Sequence, residues 1–350
     1  MQVIIYKIHN QNKMSKKVLV TGISGYVGLH CAVELLRNGY SVKGSIRNMS
    51  KEAKVRKDIS KVIEPKDNLE FCQLDLLKDD GWDKAMEDCD YVLHIASPYV
   101  ATEPKDENVL IKPAIEGTLR ALKAAKQASV KRLILTSSMV AMMGDGNKSI
   151  NVNQDTWTNP NAKNMSAYVK SKTLAEQSAW DFINSQDGNN KLEMVVINPG
   201  PIWGPTLSST LSGESMNLVK NMITGKMPML AKTGINMSDV RDIAKIHVQA
   251  LENKQANGQR FVVASDKTYT FKEMAQILKE NGYKKVSTIE GPTFLLKFMS
   301  NFVADLKGMK PFIGNTFDAD VSNTMKTFNW KPIDFKKSVL ETAKCVESFS

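Results

Sequence analysis

Tyr168 and Lys172 stand four residues apart in the run Tyr168-Val169-Lys170-Ser171-Lys172. In a helix that spacing places a phenol and an ammonium on one face, one turn from each other. A free tyrosine has a pKa of about 10 and is a poor proton donor at neutral pH. A neighbouring cation stabilises the phenolate and should lower that value, which turns the tyrosine into a usable general acid. An exposed lysine beside a half-buried tyrosine has the same spacing, so the pair gains meaning only beside a second motif. That motif lies far upstream, in the turn Thr21-Gly22-Ile23-Ser24-Gly25-Tyr26-Val27-Gly28. Together the two point to nicotinamide-dependent reduction.

The glycine turn follows an apolar run and precedes an amphipathic one, the context a dinucleotide fingerprint requires. Gly22 can make the tight turn, Gly25 lets the backbone approach a pyrophosphate, and Gly28 permits close helix–strand packing. Amides at the helix N-terminus then face the negative charge. Thr21, Gly22, Ser24, Gly25, Tyr26, Val27 and Gly28 are therefore the expected cofactor turn. An enzyme using NAD would place an acid about 20 residues further on, against the ribose 2′-hydroxyl. This chain has Gly44-Ser45-Ile46-Arg47-Asn48 there. Arg47 can pair with a 2′-phosphate, Lys51 or Lys54 can add a second charge, and NADPH is the expected cofactor.

Positioning these groups takes alternating strands and helices. Strands are expected at Lys17–Thr21, Ser41–Ile46, Leu69–Leu74, Tyr91–Ile95, Arg132–Ser137 and Met194–Asn198, with helices near 26–37, 50–62, 80–88, 107–128 and 166–185. Asn38-Gly39 closes the first helix, and Asp79 or Asp80 is expected to cap the third, with Asp83 in its first turn. Such alternation implies right-handed crossovers and an α/β, doubly wound parallel sheet of the Rossmann kind, covered on both faces. Residues 16–200 form this unit. After it, Asn198-Pro199-Gly200-Pro201 and Trp203-Gly204-Pro205 break the rhythm. Residues 201–350 read as a smaller, mostly helical substrate lobe, with helices near 214–224, 240–253, 271–281, 293–306 and 336–347. Thr270 and Glu273 form a capping box. Segments near 237–265 should return to the first unit, Arg260–Ala264 as a strand on the edge of its sheet.

Bulk properties narrow the function. The chain has 350 residues, 24% charged and 42% hydrophobic, the balance of an ordinary globular protein. No apolar run reaches the roughly 18 residues of a membrane span, and Met1–Lys7 is too short an apolar stretch for a secretory signal. Residues 1–15 read as a flexible extension, and a cytoplasmic location is expected. Cys31, Cys72, Cys89 and Cys345 show no metal-ligand spacing and read as buried free thiols. His9, His30, His94 and His247 are scattered, so no zinc site is expected. The net charge of +10 is thickest between Lys51 and Lys66, interrupted by Glu52, Asp58 and Glu64. That pattern reads as a solvated helix face; neither nucleic acid nor membrane is an expected partner.

The chain resembles the extended short-chain dehydrogenase/reductases, in the group of dihydroflavonol reductases, cinnamoyl-CoA reductases and yeast-type aldehyde/ketone reductases. The turn Thr21–Gly28, Leu93-His94-Ile95-Ala96-Ser97-Pro98, Leu135-Thr136-Ser137-Ser138 and Tyr168–Glu176 carry the resemblance, continued by Trp180-Asp181-Phe182 and Asn198-Pro199. It implies that Asp75 and Leu76 flank the adenine, that Ala96 and Ser97 line the cofactor, and that Pro199 sits near the nicotinamide. It also implies a catalytic set. Ser138 binds the substrate carbonyl, with Ser137 as the fallback. Tyr168 donates the proton, and Lys172 binds the nicotinamide ribose and lowers the tyrosine pKa.

Five residues after Ser138, where plant dihydroflavonol reductases carry a polar side chain, this chain has Met143. A thioether offers almost no hydrogen bonding and adapts to irregular apolar shapes. Ser138, Met139, Met143 and Tyr168 are the expected substrate pocket; Met165 and Met216 read as core with a possible share in the same wall. The substrate is expected to be a small apolar or aromatic aldehyde or ketone, handled by a monomer or homodimer. Two other functions share the scaffold: an NAD-dependent nucleotide-sugar epimerase or dehydratase, and a non-enzymatic NADPH-binding regulator. The missing acid after strand two argues against the first, and the retained Tyr168 and Lys172 against the second.

Overall fold

The computed structural model describes residues 15–98, 103–146, 149–163, 165–211, 213–303 and 309–349. Short apolar runs bounded by turns become strands: β1 (Lys17–Thr21), β2 (Ser41–Ile46), β3 (Leu69–Gln73), β4 (Tyr91–His94) and β5 (Arg132–Thr136). Amphipathic runs between them become α1 (Tyr26–Arg37), α2 (Glu52–Ser60), α3 (Trp82–Met86) and α4 (Asn108–Gln127). A short strand, β6 (Ile150–Val152), precedes α5 (Ala167–Asn184) and β7 (Glu193–Pro199). The C-terminal part adds β8 (Ile202–Trp203), α6 (Glu214–Ile223), β9 (Gly234–Ile235), β10 (Ser238–Asp239), α7 (Val240–Ala250) and β11 (Arg260–Val263). It continues through β12 (Tyr269–Thr270), α8 (Phe271–Glu280), α9 (Thr293–Met299), β13 (Thr316–Ala319) and two helices, Ser322–Phe328 and Phe335–Glu347.

Seven strands form one sheet in the order β11-β7-β5-β4-β1-β2-β3, every pair parallel. Chain order reverses between β1 and β4, which opens a crevice at the carboxyl ends of those strands. Val18, Leu19 and Val20 are all fully buried, as a central strand covered on both faces demands. One face packs against α1, α2 and α7 through Leu29, Val33, Ile59 and Ile243. The other packs against α3, α4 and α5 through Trp82, Met86, Leu122 and Ala179. The return of Arg260–Val263 places β11 on the sheet edge beside β7, in register Arg260 to Val196.

A methionine-rich second core lies beyond the sheet, where Met139, Met142, Met143, Met216 and Met274 meet Trp203 and Phe317. Two further sheets, β10-β8 and β12-β9-β13-β6, frame it. The capping box forms as expected: Thr270 accepts from the Glu273 amide at 3.1 Å, and the Glu273 carboxylate accepts from the Thr270 amide at 2.7 Å.

Several local expectations are corrected. Neither Asp79 nor Asp80 caps α3; its N-cap is Gly81 in a left-handed conformation, and Asp79 instead accepts from Arg120. The helix expected over 293–306 ends at Met299, where Ser300 caps it. A helix at Ser322–Phe328 and the two-residue strands were not anticipated. Of the four thiols, Cys31 and Cys89 are buried, whereas Cys72 and Cys345 are half-buried. Of the expected N-terminal extension, residues 1–14 lie outside the described residues.

Candidate active site

The glycine turn leaves β1 where only small residues fit. Gly22 takes φ +67°, and a Cβ there would lie 3.0 Å from the Ala96 Cα. A Cβ on Gly28 would come within 2.4 Å of the Gly22 carbonyl, so this glycine sets how closely α1 approaches the turn. Gly25 caps α1 without any side-chain hydrogen bond, and a Cβ there would meet only the Gly22 carbonyl, at 3.2 Å. The first-turn amides of α1 thus have no side chain over them, which is what a dinucleotide pyrophosphate requires. The turn fits such a cofactor.

The remaining turn residues divide between contact and scaffold. Ser24 is exposed at the turn and Val27 is buried in the core. The Thr21 hydroxyl is occupied: it pairs with His94 Nδ1 at 3.0 Å and accepts from the amides of Ile95 and Ala96 at 3.0 and 3.1 Å. Its effect is to hold the loop of Ala96 and Ser97 against the turn. The Tyr26 phenol donates to the Gly204 carbonyl at 2.6 Å, and His30 Nε2 meets the Pro205 carbonyl at 2.9 Å. These two side chains of α1 therefore grip the 204–205 loop.

At the end of β2, Arg47 is exposed and its guanidinium joins no ion pair among the described residues. Lys54 is less free. Its ammonium lies 3.3 Å from Asp58 Oδ2 and 3.3 Å from Ser208 Oγ, so it bridges α2 to the Ser/Thr-rich loop. Asp75 accepts from the Leu77 amide, and the Leu76 side chain would lie 2.9 Å from a Cβ on Gly117. Both stand at the carboxyl end of β3, on the same edge of the crevice as Arg47.

Ser138 and Tyr168 come together from different elements. Ser138 follows β5, caps the short 3-10 turn Met139–Met142, and points its hydroxyl at the Pro199 carbonyl, 3.4 Å away. Tyr168 opens α5, whose N-cap Ser166 accepts from the Val169 amide, and its phenol hydrogen bonds to Ser138. Lys172 follows one turn later. A cleft beside it is lined by Ala96, Ser97, Thr118, Ser137 and Glu176. The expected lowering of the tyrosine pKa is corrected: burial raises the phenol above its ordinary value, and the Ser138 hydrogen bond only partly opposes this. Burial also lowers the Lys172 ammonium to about 8, against an opposing pull from Glu176.

Ser137, the fallback for Ser138, is committed elsewhere, because its hydroxyl donates to Glu176 Oε2 at 2.5 Å. Met139, Met142 and Met143 are all buried, so they lie beneath the Ser138 loop and form no open wall. Met139 packs nearest the site, with its sulfur 3.1 Å from where a Cβ on Gly200 would sit. Met165 and Met216 belong to the same core. Sequence reading assigned no role to Glu176, Asn198 or Arg260. A charged residue on the alanine-rich face of α5, one turn past Lys172, was the available signal for Glu176.

Comparison with known proteins follows this geometry. The profile of the NAD dependent epimerase/dehydratase family matches residues 18–264. Cinnamoyl-CoA reductase CAD2 of Medicago truncatula is 34% identical over 281 residues, 77% of this chain and 82% of the relative. NADPH-dependent methylglyoxal reductase GRE2 of Saccharomyces cerevisiae is 29% identical over 284 residues, 75% of this chain and 82% of the relative. The crystal structure of yeast methylglyoxal/isovaleraldehyde reductase Gre2 complexed with NADPH superposes with a TM-score of 0.76 at 25% identity, covering 95% of this chain and 98% of that one.

Proposed function

The chain belongs to the NAD dependent epimerase/dehydratase family, as an extended short-chain dehydrogenase/reductase of the cinnamoyl-CoA reductase group, and from that premise we propose that it is an NADPH-dependent reductase of apolar or aromatic aldehydes and ketones. The observation that carries this reading is the meeting of Ser138 with Tyr168, one turn before Lys172, beside the cleft under Ala96 and Ser97. Bound NADPH would supply a hydride to the carbonyl carbon. The first-turn amides of α1 would hold the pyrophosphate, and Arg47 would take the 2′-phosphate. Lys54 can add a charge only by loosening its hold on Asp58 and Ser208.

Ser138 and Tyr168 hold the substrate carbonyl oxygen between two hydroxyls. Because burial keeps the phenol protonated, Tyr168 enters the reaction as a donor, and its proton goes to the oxygen as negative charge develops there. Lys172 sits where a positive charge steadies the resulting phenolate. A cation there is costly in the resting protein and favourable only as that charge appears, which is the differential stabilisation catalysis needs. Relatives named cinnamoyl-CoA reductase and methylglyoxal/isovaleraldehyde reductase support apolar or aromatic carbonyls as the substrate class. The C-terminal elements from β8 onward, apart from α7 and β11 on the main sheet, would form the substrate lobe.

The test is NADPH oxidation by the purified protein across aldehydes, diketones, hydroxysteroids and dihydroflavonols. Reduction of one or more apolar carbonyls, with NADPH preferred, is the expected result. Tightly bound NAD in the purified protein and no turnover with any carbonyl would move the assignment to nucleotide-sugar chemistry.

A further inference from the structure

Outside the groups used so far, a cluster of charged side chains among the described residues is enclosed. The Glu176 carboxylate, with a side chain that has no exposure, pairs with Arg260 Nε at 2.5 Å. It also accepts from Ser137 Oγ at 2.5 Å, Asn198 Nδ2 at 2.9 Å and Trp180 Nε1 at 3.4 Å. Arg260 in turn donates to the carbonyls of Gln154 and Thr156, at 3.0 and 2.7 Å, and lies over the Trp157 ring at 3.7 Å. One carboxylate therefore joins α5, the end of β5, β7 and β11.

Stability does not explain this arrangement. A buried ion pair is on average no more stabilising than a well-packed apolar pair of the same volume. Here Asn198 Oδ1 and Arg260 Nη2 also find no hydrogen-bond partner among the described residues, and an unsatisfied buried polar atom is destabilising. The location explains it better. Glu176 follows Tyr168 and Lys172 at successive turns of one helix, so all three share a face. Asn198, while bound to Glu176, also donates to the Ser138 carbonyl at 3.2 Å.

Resting on the reductase reading, we propose that Glu176 is a positioning residue for the reaction: it fixes the strand-end segment that carries Ser138 and supplies the negative charge that keeps Lys172 protonated at working pH. The groups that face Lys172 are few. Tyr168 and Glu176 stand on its own helix, and His94 on β4 feels the Lys172 charge. His94 is held neutral by burial, near pKa 3. Thr118 on α4, Thr136 at the end of β5 and Ser137 just after it bring hydroxyls alone. Among the described residues Glu176, whose charge is shared with Arg260, is thus the anion that opposes the desolvation of the ammonium.

The experiment follows the Lys172 ammonium directly, by NMR titration of the full chain grown with isotope-labelled lysine, with the signal assigned by its loss in Lys172→Arg. Glu176→Gln should move the midpoint down by about one pH unit, and the alkaline limb of kcat/KM should move with it. At neutral pH that shift alone should lower kcat by about twofold, and loss of the Ser138 positioning should bring the total fall to roughly tenfold, while KM for the carbonyl stays within about twofold. Glu176→Asp, which keeps the charge, should return the midpoint toward wild type. If Glu176→Gln does not fold, the double variant Glu176→Gln/Arg260→Gln removes both members of the ion pair, and a smaller downward movement is expected because the Arg260 cation goes with the anion. A wild-type midpoint in Glu176→Gln, or in the double variant where only that one folds, overturns the proposal. A wild-type protein that reduces no carbonyl would overturn the functional reading instead, because the titration needs no turnover.

Discussion

Tyr168 and Ser138 share a hydrogen bond across the junction of α5 with the end of β5. The phenol sits in a buried environment that raises its pKa, so its proton is present throughout the neutral range. Replacing Tyr168 with Phe removes that proton and keeps the ring. Turnover should fall by at least about 10²-fold, the usual scale of general-acid catalysis. NADPH affinity, followed by fluorescence titration, should stay close to wild type. A variant that kept most of its turnover would place the proton donor elsewhere.

Arg47 stands exposed at the end of β2 with no ion-pair partner among the described residues. A charge-assisted hydrogen bond is worth about 1.5–3 kcal/mol, so NADPH should be preferred over NADH by roughly tenfold or more. Arg47→Asp should erode or invert that ratio. Steady-state kinetics with both cofactors decide it, and equal use by the wild type would remove Arg47 from the site.

Met143 is buried beneath the Ser138 loop, with its amide donating to Thr158 Oγ1 at 2.6 Å. Phenyl- or alkyl-substituted aldehydes and ketones should be reduced with higher kcat/KM than dihydroflavonols. Met143→Asn should lower Tm, because it adds a polar group to an apolar core, and should leave the gap in place, because the side chain does not reach the substrate. Efficient dihydroflavonol reduction by the wild type would overturn the substrate class.

Lys172 has a folded pKa of about 8 against an ordinary 10.5. Below pH 8 the folded protein holds an ammonium in a site that disfavours it. Between about pH 8 and 10.5 the unfolded chain binds more protons than the folded one, so this group's penalty shrinks as pH rises. Lys172→Met should therefore stabilise the protein at pH 7, by up to about 3 kcal/mol before solvent screening reduces it. The gain should fade by pH 10.5 as activity stays abolished. Urea unfolding of both proteins at the two pH values measures this, and a destabilised variant at pH 7 would contradict it.

Gly28→Ala would bring a methyl group within 2.4 Å of the Gly22 carbonyl and 2.8 Å of the Ile23 Cα, both backbone. The turn must shift, at a cost of about 1–3 kcal/mol. Thermal unfolding should register that loss, and NADPH titration should show weakened binding. Unchanged values for both would mean that α1 can move away freely.

What could be read from the sequence was local. The turn Thr21–Gly28 announces itself because strand, glycines and helix are contiguous, and Tyr168 with Lys172 because one helix carries both. Glu176 escaped assignment because its partners Ser137, Asn198 and Arg260 come from three strands, Arg260 from 84 positions away. The direction of the Tyr168 pKa was misread for a related reason. Spacing shows that a cation is near, whereas only the packed structure shows that burial raises the phenol pKa. Strands such as β9 and β12 are too short to carry a pattern, and their pairing joins distant segments.

The place of β11 bears on how the chain matures during synthesis. Until Arg260–Val263 has left the ribosome, β7 remains an unprotected sheet edge, and Glu176 has no guanidinium to meet in the forming interior. Completion of the nucleotide-binding half thus waits on sequence some 60 residues downstream of it, a long-range closure of the kind that slows folding. A gene cut near residue 200 should yield a fragment that aggregates through this edge, and co-expression of the second fragment should rescue its solubility by supplying the missing strand.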